Sequence, residues 1–215
     1  MEKKFDCLVC NSFNCDHRDK SFPKYCLTTA TDRTELETVE ELYRNDREDS
    51  LLARSSAEIE GAYYGKLTRV EEIIVFAKKI GAKKIGIATC LGLVNESKLF
   101  AQVIKAKGLQ SFGVVCKVSS TDKTLIGIPE ALKVHPGSFE AMCNPILQAK
   151  IMEKEETDLN VLVGLCVGHD SLFIKYSHAP VTVLLTKDRV LAHNPAAALY
   201  TSSFYYKRLL QQGDI

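Results

Sequence analysis

The stretch that most constrains this chain is Asn160–Asp170, which reads Asn-Val-Leu-Val-Gly-Leu-Cys-Val-Gly-His-Asp. Its apolar run, Asn160 to Leu165, has strand length and is bounded by glycine, as expected of a strand buried on both faces. The run breaks at Gly164, Cys166 and Gly168 and resumes as a predicted helix over His169–Ser177. Such a strand needs helices on both sides of its sheet, so the stretch commits the chain to an α/β fold. It also sets Cys166 at a strand-to-helix turn, where free N–H groups and the positive end of a helix favour thiolate over thiol.

The same unit recurs on either side. Thr68-Arg-Val-Glu71 is a capping box opening a helix over Val70–Ile80, stopped by Gly81 and followed by a strand over Lys84–Cys90. A helix over Asn95–Lys107 carries Leu99, Phe100, Val103 and Ile104 on one face and leads to a strand over Ser111–Val118 that contains Cys116. Asn144 suits an N-cap and Pro145 the first helical position, so Cys143 immediately precedes a helix running to about Glu156. A strand over Pro180–Lys187 and a helix over Ala196–Leu210 complete the body. Strand–helix alternation predicts a parallel, Rossmann-like sheet flanked by helices over residues 66–215. Residues 31–65 read as a helical pair packed on that body, from Leu36, Val39, Leu42 and Tyr43, then Leu51, Leu52, Ser55 and Ile59. Residues 1–30 read as a separate cysteine-rich module.

No apolar leader follows Met1, and the longest apolar runs are strand-length, so the expectation is a cytoplasmic protein with no membrane partner. A net charge of +1 without a basic block argues against nucleic acid as a partner. Eight cysteines in a reducing compartment point to metal or cluster binding rather than to structural disulfides. Cys7, Cys10, Cys15 and Cys26 follow a C-x2-C-x4-C-x10-C spacing in a polar, turn-rich segment with little to bury, where one bound ion would supply folding free energy. Zinc and an iron–sulfur cluster fit that spacing equally, and His17 is a substitute ligand.

The other four cysteines define a second predicted site. Ligands of an open parallel sheet bind outside the carboxyl ends of its strands. Cys90, Cys116 and Cys166 lie at or beside such ends, and Cys143 lies at a helix start opening on the same edge. Four thiolates are the ligand set of a [4Fe–4S] cluster or of tetrahedral zinc. With three bound, the remaining position is open to a small-molecule substrate or a redox partner, with His169, Asp170 and Lys117 at hand for redox or sulfur chemistry.

Two other readings compete. Gly164-Leu-Cys166-Val-Gly168 matches a nucleophile elbow with cysteine in place of serine, and Gly-Leu-Cys-Val-Gly-His-Asp looks like the nucleophile motif of class I glutamine amidotransferases. On that reading the catalytic residues of a cysteine hydrolase are Cys166, His169 and Asp170, with His178, His193 and Asp188 as further partners. It gives no reason for three more cysteines at the same edge. The third reading is a zinc-stabilised interaction module without catalysis. No P-loop and no G-x-G-x-x-G is present to call for a nucleotide.

Taken as a set, Cys7-x2-Cys10-x4-Cys15, Ala88-Thr-Cys90-x-Gly92, Cys143-Asn-Pro145, Gly164-Leu-Cys-Val-Gly-His-Asp-Ser171 and Lys187-Asp-Arg-Val-Leu-Ala-His-Asn-Pro195 resemble the prokaryotic family of unknown function numbered 1847. The resemblance covers nearly the whole chain. It implies metal or zinc binding, the label its members commonly carry, and brings no reaction with it.

Overall fold

A computed structural model describes residues 5–213. It divides into two compact units, one ending at Ala57 and the other beginning at Glu58. The first contains α1 (Asn14–His17), α2 (Leu27–Ala30) and α3 (Arg33–Asn45), and α4 (Arg47–Tyr63) runs across the division. Asp32 caps α3 by accepting from the N–H groups of Thr34 and Glu35 at 2.9 and 3.1 Å. The division falls inside α4, between the expected boundaries at residues 30 and 65.

The second unit is built on four strands: β1 (Lys84–Thr89), β2 (Gln110–Val115), β3 (Leu159–Val163) and β4 (Val181–Leu185). They pair in the order β2-β1-β3-β4, all parallel. α5 (Arg69–Lys79) precedes β1 and starts with the expected capping box between Thr68 and Glu71. α6 (Val94–Ala106) joins β1 to β2, α7 (Pro145–Lys154) joins β2 to β3, and α8 (His169–Tyr176) joins β3 to β4.

Alternation along the strands makes two cores. Ile85, Ile87, Leu159, Val161 and Val163 pack with Ile73, Ile74 and Ala77 of α5 and Phe100 and Ile104 of α6. Ala88, Val114 and Leu162 pack on the other face with Ala149 and Met152 of α7 and Phe173 of α8. The helix after β1 and the helix after β3 thus leave on opposite faces, which makes the gap between these two strands the sheet's topological switch point.

The C-terminus departs from the sequence expectation. The helix predicted over Ala196–Leu210 stops as α9 (Ala196–Tyr200), and a separate 3-10 turn follows at Lys207–Leu210. Thr201 ends it: its hydroxyl donates to the Ala197 carbonyl at 2.7 Å and two serines follow, residues that favour local side-chain bonds over helix. Among the described residues no helix is long and apolar enough to cross a membrane.

Candidate functional site at the carboxyl edge of the sheet

Sheet register assembles the site. Lys84 pairs with Gln110 and Thr89 with Val115, so one further step sets Cys90 opposite Cys116, and the Cys116 N–H indeed continues the ladder to the Thr89 carbonyl at 2.9 Å. Residue parity places both cysteines on the α7 face, since Cys90 follows Ala88 and Cys116 follows Val114 at period two. The third cysteine arrives by capping: Asn144 accepts from the Leu147 N–H at 3.0 Å to start α7, and its own N–H donates to the Cys116 carbonyl at 2.7 Å. Cys143 is thereby fixed beside Cys116.

Cys116 is buried and its thiol touches both Cys90 and Cys143, which are half-buried. The Leu91 N–H points at the Cys116 sulfur from 3.4 Å. Cys116 shares its thiol with both neighbours and keeps its proton far above the usual thiol range. Cys90 is driven the opposite way, down to about 5, chiefly by the Cys116 thiol, then by the Gly92 N–H and by the Lys187 ammonium, against the cost of burial. Cys143 also falls to about 5, again chiefly through Cys116 and then through Lys117 and His169. Cys116 has one S–H to give, so it stabilises one neighbouring thiolate at a time, and the other thiolate leans on its lysine.

Cys166 has a different partner from these three. The β1–β3 register places Gly164 opposite Cys90, and the Cys90 N–H donates to the Val163 carbonyl at 3.1 Å. At Gly164 the backbone enters the left-handed region, φ +65°, and a Cβ there would fall 1.9 Å from Leu93 Cδ1. The strand ends at Val163, and Cys166 follows three residues on, past this turn. Its sulfur instead accepts from Arg189 Nη2 at 3.0 Å. None of the expected bases is bonded to it: His169 is half-buried and acts on Cys143 only through its charge, His178 is exposed, and His193 Nδ1 accepts from the Asp188 N–H at 3.1 Å. Asp170 spends its carboxylate on the neighbouring Ser171 N–H at 2.8 Å.

The segment between Cys116 and Cys143 is tied at its base. Asp122 and Ala141 form an antiparallel bridge, the Met142 N–H donates to the Thr121 carbonyl at 2.7 Å, and the Lys117 ammonium donates to the Ala141 carbonyl. Farther out, Lys133 bonds Asp122 at 3.0 Å and Glu130 at 2.6 Å, while Glu140 pairs with Lys123. Beneath the thiols, fully buried Gln148 of α7 donates to the Thr89 and Val114 carbonyls at 3.2 and 2.6 Å, locking the helix to both strand ends.

The first four cysteines present a different picture. Cys7 and Cys15 are exposed and Cys10 and Cys26 half-buried. Thr28, two residues on, lowers the Cys26 pKa through a side-chain hydrogen bond. Among the described residues no group of three or more His, Cys, Asp or Glu side chains is placed to hold a metal ion, either here or at the sheet edge. Sequence reasoning passed over Arg189 and Gln148. Only Arg189 had a signal, its place just past the last strand.

The family described as "Protein of unknown function (DUF1847)" matches residues 26–184. That span includes the four body cysteines and excludes Cys7, Cys10 and Cys15 at one end and Lys187 and Arg189 at the other. The uncharacterized protein MJ0455 of Methanocaldococcus jannaschii is 47% identical over 189 residues, covering 87% of this chain and 95% of its own length. No solved structure matches. On the family match and this relative together, the chain belongs to the DUF1847 family.

Proposed function

We propose that this protein binds a thiophilic metal centre, zinc or an iron–sulfur cluster, at the carboxyl edge of its sheet. The observation that carries the reading is the contact of Cys116 with both Cys90 and Cys143, three thiols supplied by three separate segments of chain. The donor chemistry fits: soft sulfur ligands select zinc and iron–sulfur clusters. Depressed thiol pKa values at Cys90 and Cys143 favour the deprotonated ligand form. The Leu91 N–H on the Cys116 sulfur is the kind of bond that tunes a thiolate ligand.

Cys90, Cys116 and Cys143 are neighbours not yet set in a metal-holding arrangement; they would hold the group by closing on it, and Cys166 is the candidate fourth ligand. A cluster would supply electron transfer; zinc would supply rigidity or Lewis acidity. This chain's own residues supply the rest. Lys117 and Lys187 offset the negative charge of the thiolates, and Gln148 holds the strand ends and α7 in fixed relation.

The test is metal and acid-labile sulfide per chain in anaerobically purified protein, for the wild type, Cys116→Ser and Cys15→Ser. Iron with matching sulfide, or zinc, that vanishes in Cys116→Ser and stays in Cys15→Ser is the expected result. Metal that depends on Cys15 and not on Cys116 would move the site to the N-terminal cysteines. Wild-type protein without metal would overturn the proposal and leave a metal-free thiol site.

A further inference from the structure

Lys187 and Arg189 bring two positive charges to the thiols of the edge. Both follow β4 on a turn built to hold them. Asp188 Oδ1 accepts from the N–H groups of Val190 and Leu191 at 2.9 and 2.7 Å, and the His193 N–H returns to the Asp188 carbonyl at 3.0 Å. The turn keeps Ala192 and His193 in the left-handed region, at φ 50° and 64°, a conformation that side-chain-bearing residues adopt at a cost of order 1 kcal/mol or more each. From this turn Lys187 reaches back over the switch point. A Cβ on Gly92 would stand 3.1 Å from its Nζ, and one on Gly164 3.8 Å from its Cδ, so glycine at both lips leaves the lysine its path.

Among the described residues these cations reach thiols: Lys187 reaches Cys90 and Arg189 reaches Cys166. Neither lies, among the described residues, within ion-pair distance of an Asp or Glu, and the third cation beside the thiols, Lys117, donates to the Ala141 carbonyl. Two positive side chains thus converge, unneutralised by carboxylates, on the crevice where open α/β sheets take their ligands.

We infer that Lys187 and Arg189 form an anion-binding subsite across the β1–β3 switch point, and that the protein's ligand is a small molecule carrying a carboxylate or phosphate held beside Cys90 and Cys166. This rests on the reading of the sheet edge as the functional site, and it names the class of molecule that site admits.

The test compares two alkylating agents of the same shape, anionic iodoacetate and neutral iodoacetamide, with labelling read at each cysteine by mass spectrometry. Protein is taken as purified and again after chelation, so that a bound metal cannot hide the thiols, and its metal content is measured alongside. Exposed Cys7 and Cys15 serve as references within the same molecule. The iodoacetate-to-iodoacetamide ratio cancels each thiol's own reactivity. A unit charge about 5–6 Å away in a water-like medium raises it about threefold. The ratio at Cys90 and Cys166 is therefore expected to exceed that at the references by about threefold per cation. Lys187→Met should return Cys90, and Arg189→Gln should return Cys166, to the reference value. Inorganic phosphate should remove the advantage in the wild type, at higher concentration than a tighter organic phosphate or carboxylate. Wild-type ratios equal to the references would overturn the inference. So would variants that slow both reagents alike, because the cations would then serve only to stabilise the thiolates. The metal content reports separately on the proposed centre, so the two ideas fail independently.

Discussion

Cys7, Cys10, Cys15 and Cys26 are close in sequence and stay at or near the surface, whereas Cys90, Cys116 and Cys143 are far apart in sequence and come into contact. The first group has the spacing of a metal knuckle and is carried on or beside short helical turns of three or four residues. The second has no motif spacing, yet a sheet register and a helix cap place its members as neighbours. Proximity along the chain therefore says less about a site than the regularity of the elements that carry it. At the sheet edge the position of each thiol is inherited from a ladder of backbone hydrogen bonds.

The sharpest way to break this contrast is to disturb the edge through its backbone. Gly164→Ala would place a Cβ in the left-handed region and against Leu93, and is expected to cost about 3 kcal/mol in urea unfolding, enough to scatter the thiols. Unchanged stability would mean that the edge is plastic and that its register does not define the site.

The next test asks whether the contact changes chemistry. With thiolates held down to about 5, iodoacetamide should label Cys90 or Cys143 at pH 6 within about twofold of the rate at pH 8. An ordinary thiol would slow by nearly a hundredfold over that interval. A steep decline at both cysteines would show that Cys116 does not stabilise its neighbours.

Smaller effects sharpen the comparison further. Cys116→Ser, in the core and against two sulfurs, should lose about 1–2 kcal/mol in metal-free protein, while Cys15→Ser should stay within about 0.5 kcal/mol. The smallest expected change is local. Backbone N–H groups and Lys133 hold the Asp122 carboxyl well below the usual range, and Lys123 and backbone N–H groups lower that of Glu140. A depressed carboxyl contributes stability above its unfolded value and loses it as pH falls through the folded one. Amide exchange should therefore open residues 117–142 as pH drops below about 4, before the central strands exchange. Simultaneous opening of loop and sheet would show that the loop has no stability of its own.

Much of this was legible in the sequence. Continuous apolar runs gave the strands, Thr68/Glu71 and Asn144/Pro145 gave the helix starts, and the cysteines at strand ends gave the edge. Register was not, because an apolar run on a strand buried on both faces has no periodicity to fix its partner's position. Cys166 illustrates the limit. It sits three residues past β3, and the backbone turn at Gly164 that precedes it, with the Arg189 bond its sulfur accepts, has no periodic signature. Arg189 was passed over because its role depends on a turn pinned by Asp188 and His193, contacts that no periodic pattern announces. The last helix was overdrawn because the apolar Ala196–Tyr200 pattern was extended through Thr201 and two serines.

The tied base of the segment between Cys116 and Cys143 has a practical corollary. Asp122–Ala141 pairing and the Asn144–Cys116 bond fix the two thiols from below, so the length of chain above the tie does not set their separation. The site is insulated from its own loop. Gly127, at φ +80° with no atom within 4 Å of a would-be Cβ, marks a place where a fluorescent peptide could be spliced in as a reporter of what the edge binds. The loop above the tie can be lengthened, shortened or redecorated to change what reaches the thiols without moving the thiols themselves.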